Sequence, residues 1–186
     1  MVSTTWGTRR AARKLAGAVT DRLSGPVSSR RLCEELCRAM GRQRGGRPIE
    51  LRFIDFPPGT VTGLALIRED SDMVLVHSGT TGVQQVVAVG HELRHLTQDG
   101  HDYCVDGADV AARLLGENGD MESVLDEVLH AAARNHAPND LEDDAERFGL
   151  TVGGLLLPWV ADGAQDFGPG PRDGLVGRIQ TSLGPR

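Results

Sequence analysis

The sequence predicts an α+β fold: helices, then a small three-stranded sheet, then further helices. Three observations carry this. Three short runs rich in β-branched and apolar residues lie together between Ile49 and His77, separated by turn residues. The apolar spacing then changes to the helical period at Thr81. Helical windows with capping or breaking residues stand on both sides of the strand-like region. A chain of 186 residues is long enough for one sizeable core. With aromatics at 4%, that core has to be built mainly of Leu, Val and Ala.

The first window, from about Ser3 to Leu23, places Trp6, Leu15, Val19 and Leu23 near one side and basic residues on the others. Ser24-Gly25-Pro26 ends it. Ser28 or Ser29 caps a second helix through about Met40, carrying Leu32, Leu36, Cys33 and Cys37. The two cysteines are four apart, but with no ligand partner nearby they read as small buried apolar residues. Arg42 to Arg47 is a Gly/Arg-rich link. The expected strands are Ile49–Phe56, Thr62–Arg68 and Met73–His77, with Pro57-Pro58-Gly59 and Glu69-Asp70-Ser71-Asp72 as turns. A helix follows from Thr81 to about Thr97, then windows at Met121–Arg134 and about Asn139–Leu157. The tail from Ala161 is rich in Gly and Pro. This divides the chain into a basic helical segment (1–46), a central domain (47–160) and a flexible tail (161–186).

Charge is uneven along the chain. The net charge is −6, yet residues 1–52 hold 12 Lys/Arg against 4 Asp/Glu. A basic head can steer toward nucleic acid or an acidic partner. The arginines are not interleaved with aromatics, which weighs against direct nucleic-acid binding and favours an ordinary solvated face. Three cysteines without C-x-x-C spacing argue against a disulfide framework and suit a reducing compartment. With no membrane span and no secretory leader in the sequence, the expected location is cytoplasmic.

The chemistry centres on His91-Glu92-Leu93-Arg94-His95, an H-E-x-x-H pattern. At about 100° per residue His91 and His95 fall about 40° apart, so both imidazoles can grip one zinc ion. Glu92 lies about 60° further round, where a carboxylate can take a proton from zinc-bound water. Val86, Val89, Leu93 and Leu96 cluster on the opposite side, the expected core face. Val87 and Ala88, small residues before the ligands, leave room for a cleft. A catalytic zinc takes a third protein ligand and keeps one position for water. Two residues compete for that role. His101 stands at the eleventh position, as in the extended H-E-x-x-H-x-x-G-x-x-H motif, but Gln98 occupies the eighth, where that motif has glycine. Glu142 lies 47 residues after His95, in a helix expected to bury Leu141, Ala145, Phe148, Val152 and Leu155. Glu142, Glu146 and Gly149 share an adjoining face, and small Ala145 and Gly149 would permit close helix approach. Tyr103 and His136 are candidate oxyanion donors. The Met73–His77 strand, placed at the sheet edge, would hold an extended peptide by strand addition.

Over roughly residues 30–160 these motifs resemble the ImmA/IrrE-type zinc metallopeptidases, including a subgroup often labelled as toxin components of toxin–antitoxin pairs. Members show a strand, a polar turn, an H-E-x-G-H helix, then a helix with E-x-x-A-x-x-F-A ending in Leu-Leu-x-Pro. Here Met73–His77, the helix with His91 to His95, the set Glu142, Ala145, Phe148 and Gly149, and Leu155-Leu156-Leu157-Pro158 look like these in order. The resemblance implies a small zincin-like metallopeptidase domain, its three-stranded sheet packed on the H-E-x-x-H helix. It implies zinc held by His91, His95 and Glu142, with Glu92 as general base. It implies cleavage of a regulatory protein such as a helix-turn-helix repressor or antitoxin. The alternative is a zinc-bound regulatory module that acts by binding a transcription regulator. The chain departs from the pattern at Arg94, where glycine is usual and where a long cation would alter substrate access, and at Gly149, where alanine is common.

Overall fold

The computed structural model describes residues 3–56, 61–97, 105–106 and 139–161. Among these the fold is α+β, with four helices around a small mixed sheet. Helix α1 spans Ser3–Thr20 and α2 Ser29–Gln43, with Ser28 capping α2 through its side chain. Strands β1 (Ile49–Ile54), β2 (Gly63–Ile67) and β3 (Asp72–His77) follow, then α3 (Gly82–His95). A two-residue strand β4 (Val105–Asp106) and helix α4 (Asn139–Leu156) complete the described elements, with a single 3-10 turn at Leu157–Trp159. The expected window at Met121–Arg134 lies outside the described residues, as does the tail beyond Ala161.

The sheet order is β1-β3-β2-β4. β3 runs parallel to β1 and antiparallel to β2, while β4 pairs in parallel with Leu66 and Ile67 of β2. This corrects the expectation for Met73–His77. It is the central strand, hydrogen-bonded on both sides, and has no free edge for a peptide. Its residues say the same: Met73, Val74, Leu75 and Val76 are all buried, as a strand covered on both faces requires. The β2–β3 turn is a hairpin, closed by the Arg68 N–H donating to the Ser71 carbonyl at 3.0 Å.

Asp72 begins β3 fully buried, so its charge needs partners. It gets two: Arg44, and Arg47, whose Nε lies 3.1 Å from both carboxylate oxygens. The Arg47 guanidinium also donates to the carbonyls of Glu69 and Ser71 at 3.0 Å. The Gly/Arg-rich link is therefore a structural pin. Gly45 and Gly46 supply the turn, at φ of 74° and 91°, where side chains are disfavoured.

One core joins all four helices to the sheet. It includes Ala12, Leu15 and Val19 of α1, Leu32 and Leu36 of α2, Val74 and Val76 of β3, Val89 and Leu93 of α3, and Phe148 and Val152 of α4. Cys33 and Cys37 are both buried, as expected, and neither is in a disulfide. Burial pushes the Cys37 thiol up to about 12. Trp6 breaks the expected pattern of α1: it is 77% exposed, and Thr8 and Ala12 take the inward positions instead. In α4 it is Leu156 that is buried, while Leu155, expected inside, is exposed. No helix among the described residues is long and apolar enough to cross a membrane.

Candidate metal centre

Helix α3 starts at a full capping box. The Thr81 side chain accepts from the Gln84 N–H, and Gln84 Oε1 accepts from the Thr81 N–H at 2.8 Å. Val86, Val89, Leu93 and Leu96 then face the core, all buried as their spacing requires. That fixes the roll of the helix and turns His91 and His95 to its other side. Their rings meet edge-on, 4.7 Å between centroids, with the two Nε2 atoms 2.9 Å apart.

Glu142 arrives from α4. One carboxylate oxygen lies 3.5 Å from His91 Nε2 and the other 3.5 Å from His95 Nε2. The ligand atoms of the three residues all lie within 4.8 Å of one another, a group that could hold a metal ion. The spacing suits a tetrahedral ion, whose ligand atoms about 2.0–2.1 Å from the metal stand about 3.3–3.4 Å apart. The imidazole pair would open by a few tenths of an ångström, and the carboxylate would turn to bring one oxygen to both nitrogens.

Glycine makes this convergence feasible. A Cβ on Gly149 would lie 2.6 Å from the Val87 carbonyl and 2.9 Å from the His91 N–H nitrogen, and one on Gly90 would lie 3.0 Å from Gly149 Cα. Only hydrogen at these positions lets α4 lie directly against the ligand turn of α3. Gly153 is in the same case over Val87. Val87 and Ala88 are therefore packed rather than lining a cleft: both are buried, Val87 beneath α4.

Glu92, next to His91, turns toward the sheet. It is buried under β2, where a Cβ on Gly63 would come within 2.9 Å of its Cγ and Oε1. Burial raises its carboxyl to about 7; the His91 charge and a hydrogen bond from the Ala65 backbone lower it, and the Glu142 charge raises it. His91 is a balance of opposites. Burial pushes its imidazolium down, but the hydrogen bond with Glu142 and the charges of Glu92, Glu142 and Glu146 outweigh that and raise it.

His91, His95 and Glu142 are thus brought together as the sequence suggested, with Glu92 adjacent. His101, Tyr103 and His136 lie outside the described residues. Arg94 does not stand over the site. It reaches across to α4, its Nε donating to Asp144 Oδ2 at 2.7 Å and its guanidinium lying 5.6 Å from the Phe148 ring centroid. Gly63, Ala65 and Asp144 are neighbours of the site that sequence reasoning missed. Only Gly63, a glycine opening a strand, carried a local hint.

Comparison with protein families, with curated proteins and with solved structures yields no match to this chain.

Proposed function

We propose that the site belongs to a metal-dependent hydrolase, and that the protein is a zinc peptidase of the ImmA/IrrE type. The carrying observation is that His91, His95 and Glu142 converge from two helices beside a buried carboxyl poised near neutrality. Two imidazole nitrogens and one carboxylate are a donor set that suits zinc and leaves a coordination position for water. Zinc held there supplies Lewis acidity and brings the pKa of a coordinated water toward about 7.

The chain's own residues supply the rest. Glu92 sits in a low-dielectric pocket between α3 and β2, where a proton is held or released near pH 7. It can take a proton from attacking water and return it to the leaving amine. The Gly63–Ala65 stretch of β2 borders Glu92, and among the described residues β4 pairs only with the two residues beyond it. This stretch, rather than β3, is where an extended peptide would lie. The substrate class is a regulatory protein such as a helix-turn-helix repressor or antitoxin, and the compartment is the cytoplasm. A Glu92→Gln variant keeps its metal and loses cleavage of such a regulator. Cleavage by that variant at the wild-type rate would rule the mechanism out.

One observation favours a second reading, a regulatory module that acts by holding its partner. Trp6 is exposed beside Arg9, Arg10 and Arg13, and these four line a surface cavity on α1. Co-purification of a stoichiometric partner that stays intact with zinc present would select this reading over the first.

A further inference from the structure

We infer that Arg94 and Asp144 form a positioning clamp that sets the roll of α4 and so delivers Glu142 to the two imidazoles; this rests on the metal site proposed above. Asp144 lies two residues after Glu142, about 200° round the helix. Both of its carboxylate oxygens are taken by other helices: Oδ1 accepts from the Thr8 hydroxyl of α1, and Oδ2 from Arg94 Nε of α3 at 2.7 Å. Arg94 in turn directly precedes the ligand His95. The ion pair therefore joins the two ligand-bearing helices one residue from a ligand on one side and two on the other.

Burial thins toward the N-terminal part of α4. From Asp140 to Arg147 only Asp144 and Ala145 are buried, whereas Phe148, Val152 and Leu156 anchor the C-terminal half. The Gly90–Gly149 contact, with Val152 against Gly90 and Val87 against Gly153, sets how closely the helices approach, and it lies C-terminal to Glu142. A roll of about 10° carries a group about 6 Å from a helix axis through about 1 Å. Metal sites tolerate only about 0.2 Å in ligand distance. A charge-assisted bond gripping α4 opposite Glu142 resists that rotation.

The experiment measures zinc affinity by chelator competition on the full chain, for Arg94→Met in the wild-type and in the Glu142→Ala backgrounds. Methionine keeps the stem over Phe148 and removes the donor. Weakening of about 10-fold in the wild-type background, within the range for groups that orient metal ligands, and under about 2-fold in the Glu142→Ala background supports the clamp. Equal weakening in both backgrounds overturns it, because Arg94 would then act through His95 or through general stability. No weakening in the wild-type background also overturns it, and leaves the metal site standing. Arg94→Lys, which restores a cationic donor, recovers part of the loss. If Arg94→Met does not fold, Asp144→Asn in the same two backgrounds separates the clamp from general stability in the same way. Absence of zinc binding by the wild type would remove the proposed site and the clamp together.

Discussion

The two sides of α3 border carboxylates in opposite circumstances. Toward the sheet, Glu92 is buried beneath Gly63 and Ala65, and its carboxyl is raised to about 7. Toward α4, Glu142 stays about half in water while it reaches two imidazoles at 3.5 Å. Burial makes the first a group that exchanges a proton near neutrality. The second lies at the solvent edge of the site, where its carboxylate is open to a metal ion held by the two imidazoles. In the proposed mechanism these two environments give the site a proton carrier on one side and a metal ligand on the other.

The contrast is tested most strongly at Glu92. Glu92→Gln is expected to lower cleavage by about 10²–10⁴-fold, the usual contribution of a positioned acid–base group. The same change should stabilise the metal-free protein. The folded carboxyl is raised above its unfolded value of 4.5, so between that pH and about 7 the unfolded chain releases a proton that the folded chain keeps. Stability therefore falls as pH rises through that window, by on the order of 3 kcal/mol, and is level above it. Thermal unfolding of chelator-treated protein from pH 4.5 to 8 should show this decline for wild type and a shallower one for Glu92→Gln. The residual slope belongs to His91, whose raised value also loses stability as pH rises. Identical slopes for the two proteins would contradict the burial account of Glu92.

The α4 side is sharpened by two glycines on one helix. Gly149→Ala puts a methyl group against Val87 and His91 and is expected to cost about 1–3 kcal/mol. It should also weaken zinc binding, because α4 must move away from the imidazoles. Gly154→Ala meets nothing within 4 Å and should stabilise the helix by up to about 1 kcal/mol. Denaturant unfolding of both variants checks this, and a Gly149→Ala protein as stable as wild type would mean that the helices do not touch there. The smallest effect is chemical. Cys37, raised to about 12, should not react with a disulfide reagent at pH 8 until the protein unfolds. A Cys104→Ser background isolates the two buried thiols for that assay.

Much of this is legible in the sequence where periodicity decides. The core stripe of α3 orients His91 and His95 by itself, and buried Ala145, Phe148 and Val152 turn the Glu142 side of α4 broadly toward α3, short of the final roll. Long-range pairing is not legible. The position of β3 in the middle of the sheet depends on strand order, which no local pattern encodes. Arg94 meets Asp144 across 50 residues, and Asp72 gathers Arg44 and Arg47 from 28 and 25 residues away. Trp6 misleads for a different reason. A large apolar residue in the first turns of a helix reads as core, yet Thr8 takes the inward position because its hydroxyl bonds to Asp144.

The central claim is that His91, His95 and Glu142 together hold one metal ion. Metal content per chain, measured on purified wild type beside His91→Ala and Glu142→Ala, tests it most directly. The expected result is one zinc per wild-type chain and loss from both variants after mild dialysis against chelator. A Glu142→Ala protein that keeps zinc as firmly as wild type would contradict it, and would move the third ligand to another residue such as His101.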